Sequence, residues 1–217
     1  MYNNYYANKI VLITGGGSGI GRGLCEKLAE AGATLICTDI DFNSAAETVS
    51  KIEKDTAIAK RLDVAQSAEI EDLIAGIVTQ YGKLDLIFNN AGIAVSGEIR
   101  DITADDWQKI MAINFFGVLN GSQTAYRYML KQGSGQIVNI ASAAGLIDHL
   151  ALMAPYAVTK HAVVSYTKTL RLEARQLGIK ANVVCPGFIN TSIGINGMAP
   201  NAKQGWNDLA NTLVSKA

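Results

Sequence analysis

Proline, cysteine and histidine are scarce in this chain, and each shortage closes off a class of protein. The 217 residues hold 3 prolines, 3 cysteines and 2 histidines. Pro155, Pro186 and Pro200 stand singly. No Pro/Ser-rich linker divides the sequence, so a single domain over 1–217 is expected. Cys25, Cys37 and Cys185 are odd in number, widely spaced and without a C-x-x-C pair, which argues against a disulfide framework and a zinc ribbon. His149 and His161 are twelve residues apart, which is not a helical metal spacing, so no metal site is expected. Charge of one sign is lacking too. Lys+Arg and Asp+Glu are 19 each and the pI is near 6.7, so nothing draws the chain toward nucleic acid or an anionic membrane. No apolar run approaches the roughly 18 residues of a membrane span. The leading MYNNYYAN has neither the charged nor the apolar region of a secretory signal, and a cytoplasmic location is expected. Charged residues are 18% against 49% hydrophobic, which excludes a disordered chain.

What is present is alternation. KIVLITGG, ATLICTDI, TAIAKRLDV, LDLIFNNAG, GQIVNIASAAG and IKANVVCPG are short apolar runs. Between them lie longer stretches with apolar residues at helical spacing, such as Ile20, Leu24, Leu28 and Ala31, with Gly32 as the stop. Ser44 with Glu47, and Thr103 with Asp106, have the spacing of capping boxes. TADDWQKIMAINFFGVLNGSQTAYRYMLKQG reads as one long helix, and PYAVTKHAVVSYTKTLRLEARQLG as another. Strands apolar at nearly every position, each followed by a helix, predict a parallel sheet covered on both faces. The expected fold is α/β, a doubly wound, Rossmann-like sheet. Ligands of such sheets bind outside the carboxyl ends of the strands, so the loops there are where chemistry is expected.

The first of these loops is T-G-G-G-S-G-I-G, with Gly15, Gly19 and Gly21 spaced G-x-x-x-G-x-G. Glycine allows a tight turn and close approach of a phosphate. The helix that starts there presents free N–H groups and the positive end of its dipole. Asp39 ends the second strand, where a carboxylate bonds the ribose hydroxyls of NAD and repels the 2′-phosphate of NADP. Ser18 stands where a basic residue would meet that phosphate, and Arg22 is the one counterweight. NAD is therefore expected over NADP. Tyr156 and Lys160 lie four apart, on one face of a helix. Tyr5 and Lys9 share the spacing, so position decides: Tyr156 follows the strand that ends at Ser142, on the ligand edge. An ammonium beside a phenol lowers its pKa toward the range useful for acid/base work.

Taken in order, TGGGSGIG at Thr14–Gly21, Asp39, LDV at Leu62–Val64, NNAG at Asn89–Gly92, Asn114, Ser142, the Tyr156/Lys160 pair of YAVTK and PGFINT at Pro186–Thr191 resemble the short-chain dehydrogenase/reductase family. The resemblance implies an NAD-dependent oxidoreductase that moves a hydride between nicotinamide and a secondary alcohol or ketone. It makes Tyr156 the general acid/base, Lys160 the residue that lowers its pKa and holds the nicotinamide ribose, Ser142 the one that orients the substrate oxygen, and Asn114 the support of a proton relay. Asp39 would hold the adenine ribose, Asp63 the adenine, Asn90 the cofactor and Thr191 its carboxamide. The cofactor-binding set it implies also includes Gly15, Ser18, Gly19, Ile20, Gly21, Val64, Ala91, Gly92, Pro186, Gly187 and Ile189. A homodimer or homotetramer is implied, built on the two long helices, with Tyr126, Tyr128, Val163 and Tyr166 at the interface. Members usually carry a seventh strand and a tail. Only 32 residues follow Cys185 and they show no strand pattern, so six or seven strands and a short C-terminus are expected. Leu146, Ile147, Leu150, Leu152, Met153 and Phe188 suggest a pocket for an apolar, small-molecule substrate, steroid- or lipid-like compounds included. His149 shares that stretch, and Trp206, Leu209 and Leu213 have helical spacing nearer the end. The competing reading is a catalytically silent dinucleotide-binding regulator. All four of Asn114, Ser142, Tyr156 and Lys160 are present, which favours the enzyme.

Overall fold

Six apolar runs become six strands. The computed structural model describes residues 5–52, 56–147, 151–187 and 189. The strands are β1 (Ile10–Thr14), β2 (Thr34–Asp39), β3 (Ala57–Arg61), β4 (Leu86–Asn89), β5 (Gly135–Ile140) and β6 (Ile179–Val184). They form one parallel sheet in the order β3-β2-β1-β4-β5-β6. The helices are α1 (Gly19–Glu30), α2 (Phe42–Ser50), α3 (Ser67–Tyr81), α4 (Ala104–Met111), α5 (Gly117–Gln132) and α6 (Ala154–Ala174). The chain winds outward from β1 to β3, returns across to β4, then winds outward again to β6. That reversal opens a crevice between the loops after β1 and β4, at the carboxyl edge shared by all parallel strands.

Strand alternation divides the core. Leu12, Ile36, Ile87 and Ile137 face Ile70 and Ile74 of α3, Met129 of α5 and Leu170 of α6. Val11, Ile13, Leu35, Phe88 and Val138 face Cys25 and Leu28 of α1 and Ala45 of α2. Leu12, Ile13, Leu35, Ile36 and Ile87 are wholly buried, each contributing about 1.5–3 kcal/mol of burial free energy. A polar cluster crosses this apolar interior. Asn89 Nδ2 donates to Ser122 Oγ (3.1 Å) and Asn139 Oδ1 (2.8 Å), and Asn139 Nδ2 donates to Thr167 Oγ1 (2.9 Å). It joins β4 and β5 to α5 and α6. Packing of the α6 helix is thereby registered against the strands that carry the site.

Two local expectations change. The helix over residues 104–132 is continuous but not regular: α4 runs on into α5 through a π turn, Ala112–Phe116, centred on Asn114. Such single-turn bulges admit one extra residue and re-aim the side chains around it. At α2 the cap is Asp41, whose Oδ1 accepts from Asn43 N, and Ser44 gives its hydroxyl to Asp41 Oδ2 while Glu47 pairs with Lys51 and Arg22. Both Asp41 and Ser44 are good capping residues, and the carboxylate takes the place. The capping box of Thr103 and Asp106 is present as expected. The seventh-strand question, with Trp206, Leu209 and Leu213, lies outside the described residues.

Candidate active site

The glycine turn after β1 leaves no room for side chains. Gly15 has φ +65°, and a Cβ on it would lie 2.8 Å from Ala91 Cα. A Cβ on Gly21 would lie 2.0 Å from the Gly15 carbonyl oxygen and 2.6 Å from Asn90 Nδ2. Under the turn, Cys37 Sγ would stand 2.5 Å from a Cβ on Gly16, and Cys25, Cys37 and Cys185 are all free thiols. Gly17 N donates to Asp39 Oδ2 at 3.0 Å, so the carboxylate at the end of β2 steadies the turn. Arg22 donates to the Gly17 carbonyl, to Thr48 Oγ1 and to Glu47, and so is engaged away from Asp39. Ser18, the first residue of the helix start, makes no capping bond with its side chain. The turn and the N–H groups of α1 thus form a cradle of main-chain donors.

Thr14 and Asn90 close this turn against β4. Asn90 Nδ2 donates to the carbonyls of Thr14 and Gly15, each at 3.0 Å, and Thr14 Oγ1 accepts from Asn90 N and Ala91 N. The amide of Asn90 is therefore spent on shaping the glycine turn. Thr14 opens the TGGGSGIG motif, but the part its hydroxyl plays in closing the turn is not expected from the sequence.

A cleft of about 420 Å³ runs from this turn across the carboxyl edge. Gly15, Ser18, Gly19, Ile20, Asp39, Asp63 and Val64 line one end, Asn90, Ala91 and Gly92 the middle, and Ser142, Tyr156, Lys160, Pro186, Gly187 and Ile189 the other. Those are sixteen of the residues expected from the sequence. Gly21 and Asn114 stand behind the wall, and Thr191 lies outside the described residues, as do Phe188, His149 and Leu150. The apolar lining differs from expectation. It comes from Ile40, Leu62, Ile93, Ala94, Ile113, Ile140 and Ala141, whereas Leu146, Ile147, Leu152 and Met153 do not line the cleft. Leu146 and Ile147 are instead exposed, because the turn after Ser142 carries them outward. Val163, expected at a subunit interface, is wholly buried within the chain.

Four elements bring the reactive side chains together. Ser142 follows β5 and starts a short 3₁₀ turn, Ala143–Gly145, where its Oγ accepts from Ala144 N at 3.1 Å. Its hydroxyl also bonds the Tyr156 hydroxyl. Tyr156 and Lys160 stand one turn apart on α6, with Lys160 Nζ 5.5 Å from the Tyr156 ring centre. Lys160 is 3% exposed and donates to the Ile140 carbonyl at 3.0 Å. Asn114 is wholly buried in the π turn; its Oδ1 accepts from Ile93 N at 2.8 Å and its Nδ2 donates to Ile93 O at 2.9 Å. Cys185, which follows β6, takes a hydrogen bond from the Ser142 main chain, and burial pushes its thiol up.

The electrostatics differ from the simple picture of an ammonium lowering a phenol. Burial pushes the Tyr156 phenol up, and Ser142, donating to the oxygen, only partly offsets it. Burial also brings the Lys160 ammonium down to about 8. The reason is geometric: the ammonium sits over the ring face with its hydrogen on Ile140 O, not at the phenolic oxygen. What the arrangement offers chemically is a phenol that holds its proton, hydrogen-bonded to a serine, beside a lysine poised to lose or keep its charge near neutral pH. Such shifted groups converging on one cleft mark a functional site.

A family model described as short chain dehydrogenase matches residues 9–200. An uncharacterised oxidoreductase of Thermotoga maritima is 39% identical over 184 residues, 84% of this chain and 72% of that one. Diacetyl reductase [(S)-acetoin forming] of Staphylococcus epidermidis is 35% identical over 189 residues, 86% of this chain and 73% of the other. Among solved structures, a short-chain dehydrogenase/reductase of Burkholderia phymatum in complex with NAD is 36% identical, with a TM-score of 0.84 over 88% of this chain and 69% of that one. Among the described residues no helix is long and apolar enough to cross a membrane.

Proposed function

The chain belongs to the short-chain dehydrogenase/reductase family, and from that premise we propose that it is an NAD(H)-dependent oxidoreductase of secondary alcohols and their ketones. The observation that carries the reading is one cleft with main-chain donors at the glycine turn and the bonded Ser142–Tyr156 pair over Lys160 at its far end.

The residues fit a nicotinamide dinucleotide. Cβ-intolerant glycines make a turn that a pyrophosphate can approach, Asp39 stands at the end of β2 for ribose hydroxyls, and Asp63 and Val64 line the same end. Gly92, Lys160, Pro186, Gly187 and Ile189 would hold the other half. When bound, the nicotinamide supplies or accepts the hydride. In the reducing direction Tyr156 Oη gives its proton to the carbonyl oxygen as that oxygen becomes a hydroxyl. In the oxidising direction the phenolate takes the proton back. With substrate bound, Ser142 turns its one hydroxyl hydrogen from the phenol to the same oxygen, and Lys160, over the Tyr156 ring, keeps positive charge beside the phenolate. A phenol held above its ordinary value keeps its proton near neutral pH, so the group is loaded to give that proton in ketone reduction even though it is a weaker acid than a free phenol. Arg22, already committed to Gly17 and Glu47, offers nothing to a 2′-phosphate, which supports NAD over NADP. Ile93, Ala94, Ile113 and Ile189 support a neutral, largely apolar substrate of the diketone and hydroxyketone kind for which the Staphylococcus relative is named. A homo-oligomer goes with the proposal, supported by half-buried Tyr126, Tyr128 and Tyr166 on α5 and α6.

The test is cofactor binding and turnover together. NADH and NADPH are titrated by fluorescence, and NAD-linked oxidation is screened on secondary alcohols with the protein and with Tyr156→Phe. NADH is expected to bind at least about tenfold tighter, the value of one repelled charge at roughly 1.4 kcal/mol. Turnover is expected to fall about 10²- to 10⁴-fold in Tyr156→Phe with NADH affinity retained. Equal turnover in the variant, or equal affinity for NADPH, would overturn the assignment.

A further inference from the structure

Asn114, Thr159 and Tyr156 lie on one directed chain of hydrogen bonds, and its middle member does not line the cleft. The amide of Asn114 exchanges two bonds with the main chain of Ile93, at 2.8 and 2.9 Å. Pairing of that kind determines which end of the amide is oxygen and which is nitrogen. The second hydrogen of Nδ2 then goes to Thr159 Oγ1, 3.2 Å away. A hydroxyl has one hydrogen to give. Thr159 gives it to the Tyr156 carbonyl at 2.8 Å. In an α-helix the carbonyl of residue 156 also pairs with the N–H of residue 160. Thr159 therefore grips the main chain at the turn that carries both Tyr156 and Lys160. The loop at the far end of the chain is equally close to the chemistry, since a Cβ on Gly92 would stand 3.3 Å from Asn114 Oδ1 and 3.6 Å from Lys160 Nζ.

We propose that Thr159 is a positioning residue for the oxidoreductase reaction: its hydroxyl, acceptor and donor at once, ties the first turn of α6 to the π turn and the Ile93 loop, and so sets where the Tyr156 phenol stands against Ser142. Thr159 is wholly buried, so its hydroxyl serves the protein interior and not solvent. Only serine and threonine place a donor and an acceptor on one atom here. Valine has nearly the same shape but neither function, and leaves Asn114 Nδ2 short of an acceptor. The inference rests on the catalytic reading above.

The experiment compares the full chain with Thr159→Val, Thr159→Ser and Thr159→Ala, using two readouts. One is steady-state kinetics beside NADH titration. The other is alkaline absorbance titration of the Tyr156 phenol, isolated by difference from Tyr156→Phe, which needs no substrate. Lys160 on α6 and Cys185 after β6 are the titratable neighbours of this corner, and they are unchanged in every variant. Thr159→Val is expected to keep NADH affinity within about twofold while kcat falls about ten- to hundredfold, the effect of a misplaced catalytic group. Its phenol should titrate at higher pH, because a displaced Tyr156 loses the stabilising donation from Ser142. Thr159→Ser should restore both. Thr159→Ala serves as the hydroxyl-free comparison should the valine variant not fold. Unchanged kcat and phenol titration in the hydroxyl-free variant would overturn the proposal, as would a serine variant that restores neither. Absence of turnover in the unmodified protein would count against the catalytic reading alone, because the phenol titration still judges Thr159.

Discussion

At one end of the cleft the facing groups are main-chain amides on a glycine turn; at the other they are side chains delivered by β5, α6, the π turn and the strand end after β6. The first end works by leaving atoms out. Its glycines admit a ligand because nothing projects, and of its two carboxylates, Asp39 and Asp63, the first is partly exposed and also bonds the turn itself. The second end works by burying groups that water would otherwise hold. Lys160, Asn114 and Thr159 are each at most 3% exposed. The first end should therefore be broken by added volume and indifferent to pH, and the second the reverse.

The largest effect expected is that of volume. Gly21→Ala sets a Cβ 2.0 Å from the Gly15 carbonyl oxygen, which is main chain and cannot swing aside. The turn has to open, and backbone strain of roughly 1–3 kcal/mol follows. NADH affinity is expected to fall about a hundredfold, as fluorescence titration would read, while the Tyr156 phenol titrates as before. Retained NADH binding would break the contrast between the two ends.

The next effect belongs to the buried end. Burial lowers Lys160 from its ordinary 10.5 to about 8. Below pH 8 the ammonium is charged in both states, and the folded protein bears its desolvation. Between about pH 8 and 10.5 the unfolded chain binds more protons than the folded one, so this residue's contribution to stability rises with pH. The displacement corresponds to roughly 3 kcal/mol, reduced by about 1 kcal/mol for the bond to Ile140 O. Lys160→Met is thus expected to be about 2 kcal/mol more stable than the parent at pH 7 by urea unfolding, with the advantage fading toward pH 10.5. A constant difference across that range would mean that the ammonium is better solvated than its burial indicates.

These two ends were not equally legible in the sequence. A glycine turn declares itself, because the backbone requirement is written as residue type, and Asp39 follows at a set distance. The central strands β1, β2 and β4 were legible for a similar reason: a strand buried on both faces is apolar along most of its length, whereas the edge strands β3 and β6 carry Lys60, Arg61 and Lys180 and were legible by their place in the alternation. Side chains that converge from distant elements leave no such trace. The Tyr–Lys spacing recurs at Tyr5 and Lys9, and Asn114 sits in MAINFFG, where apolar residues surround it and no break in period betrays the π turn. Resemblance to a family singled it out, not spacing. Thr14 and Thr159 stand inside the quoted TGGGSGIG and YAVTK motifs but were given no role, since their part lies in hydrogen bonds that only the folded molecule makes. The apolar lining was misread because Leu146 and Ile147 follow Ser142 in sequence, yet the turn faces them to solvent.

A smaller effect separates charge from shape at the glycine end. Asp39→Asn keeps an oxygen to accept from Gly17 N and removes the negative charge. The ratio of NADPH to NADH affinity should rise about tenfold, roughly 1.4 kcal/mol, in paired titrations. No change in the ratio would show that the discrimination does not come from this carboxylate.

The smallest effect makes the sharpest control. Gly23 lies in α1 only two residues beyond Gly21, but a Cβ there meets nothing within 4 Å. Alanine is favoured over glycine inside a helix by about 0.8–1.0 kcal/mol, because glycine loses more chain entropy on folding. Gly23→Ala is therefore expected to raise stability by roughly 0.5–1 kcal/mol in urea unfolding and to leave NADH affinity unchanged. The same substitution two positions apart on one helix thus has opposite signs, decided by whether the Gly15 carbonyl stands in the way. If Gly23→Ala weakens NADH binding as Gly21→Ala does, the cradle depends on freedom of the whole α1 N-terminus, and the steric account of the glycine end fails.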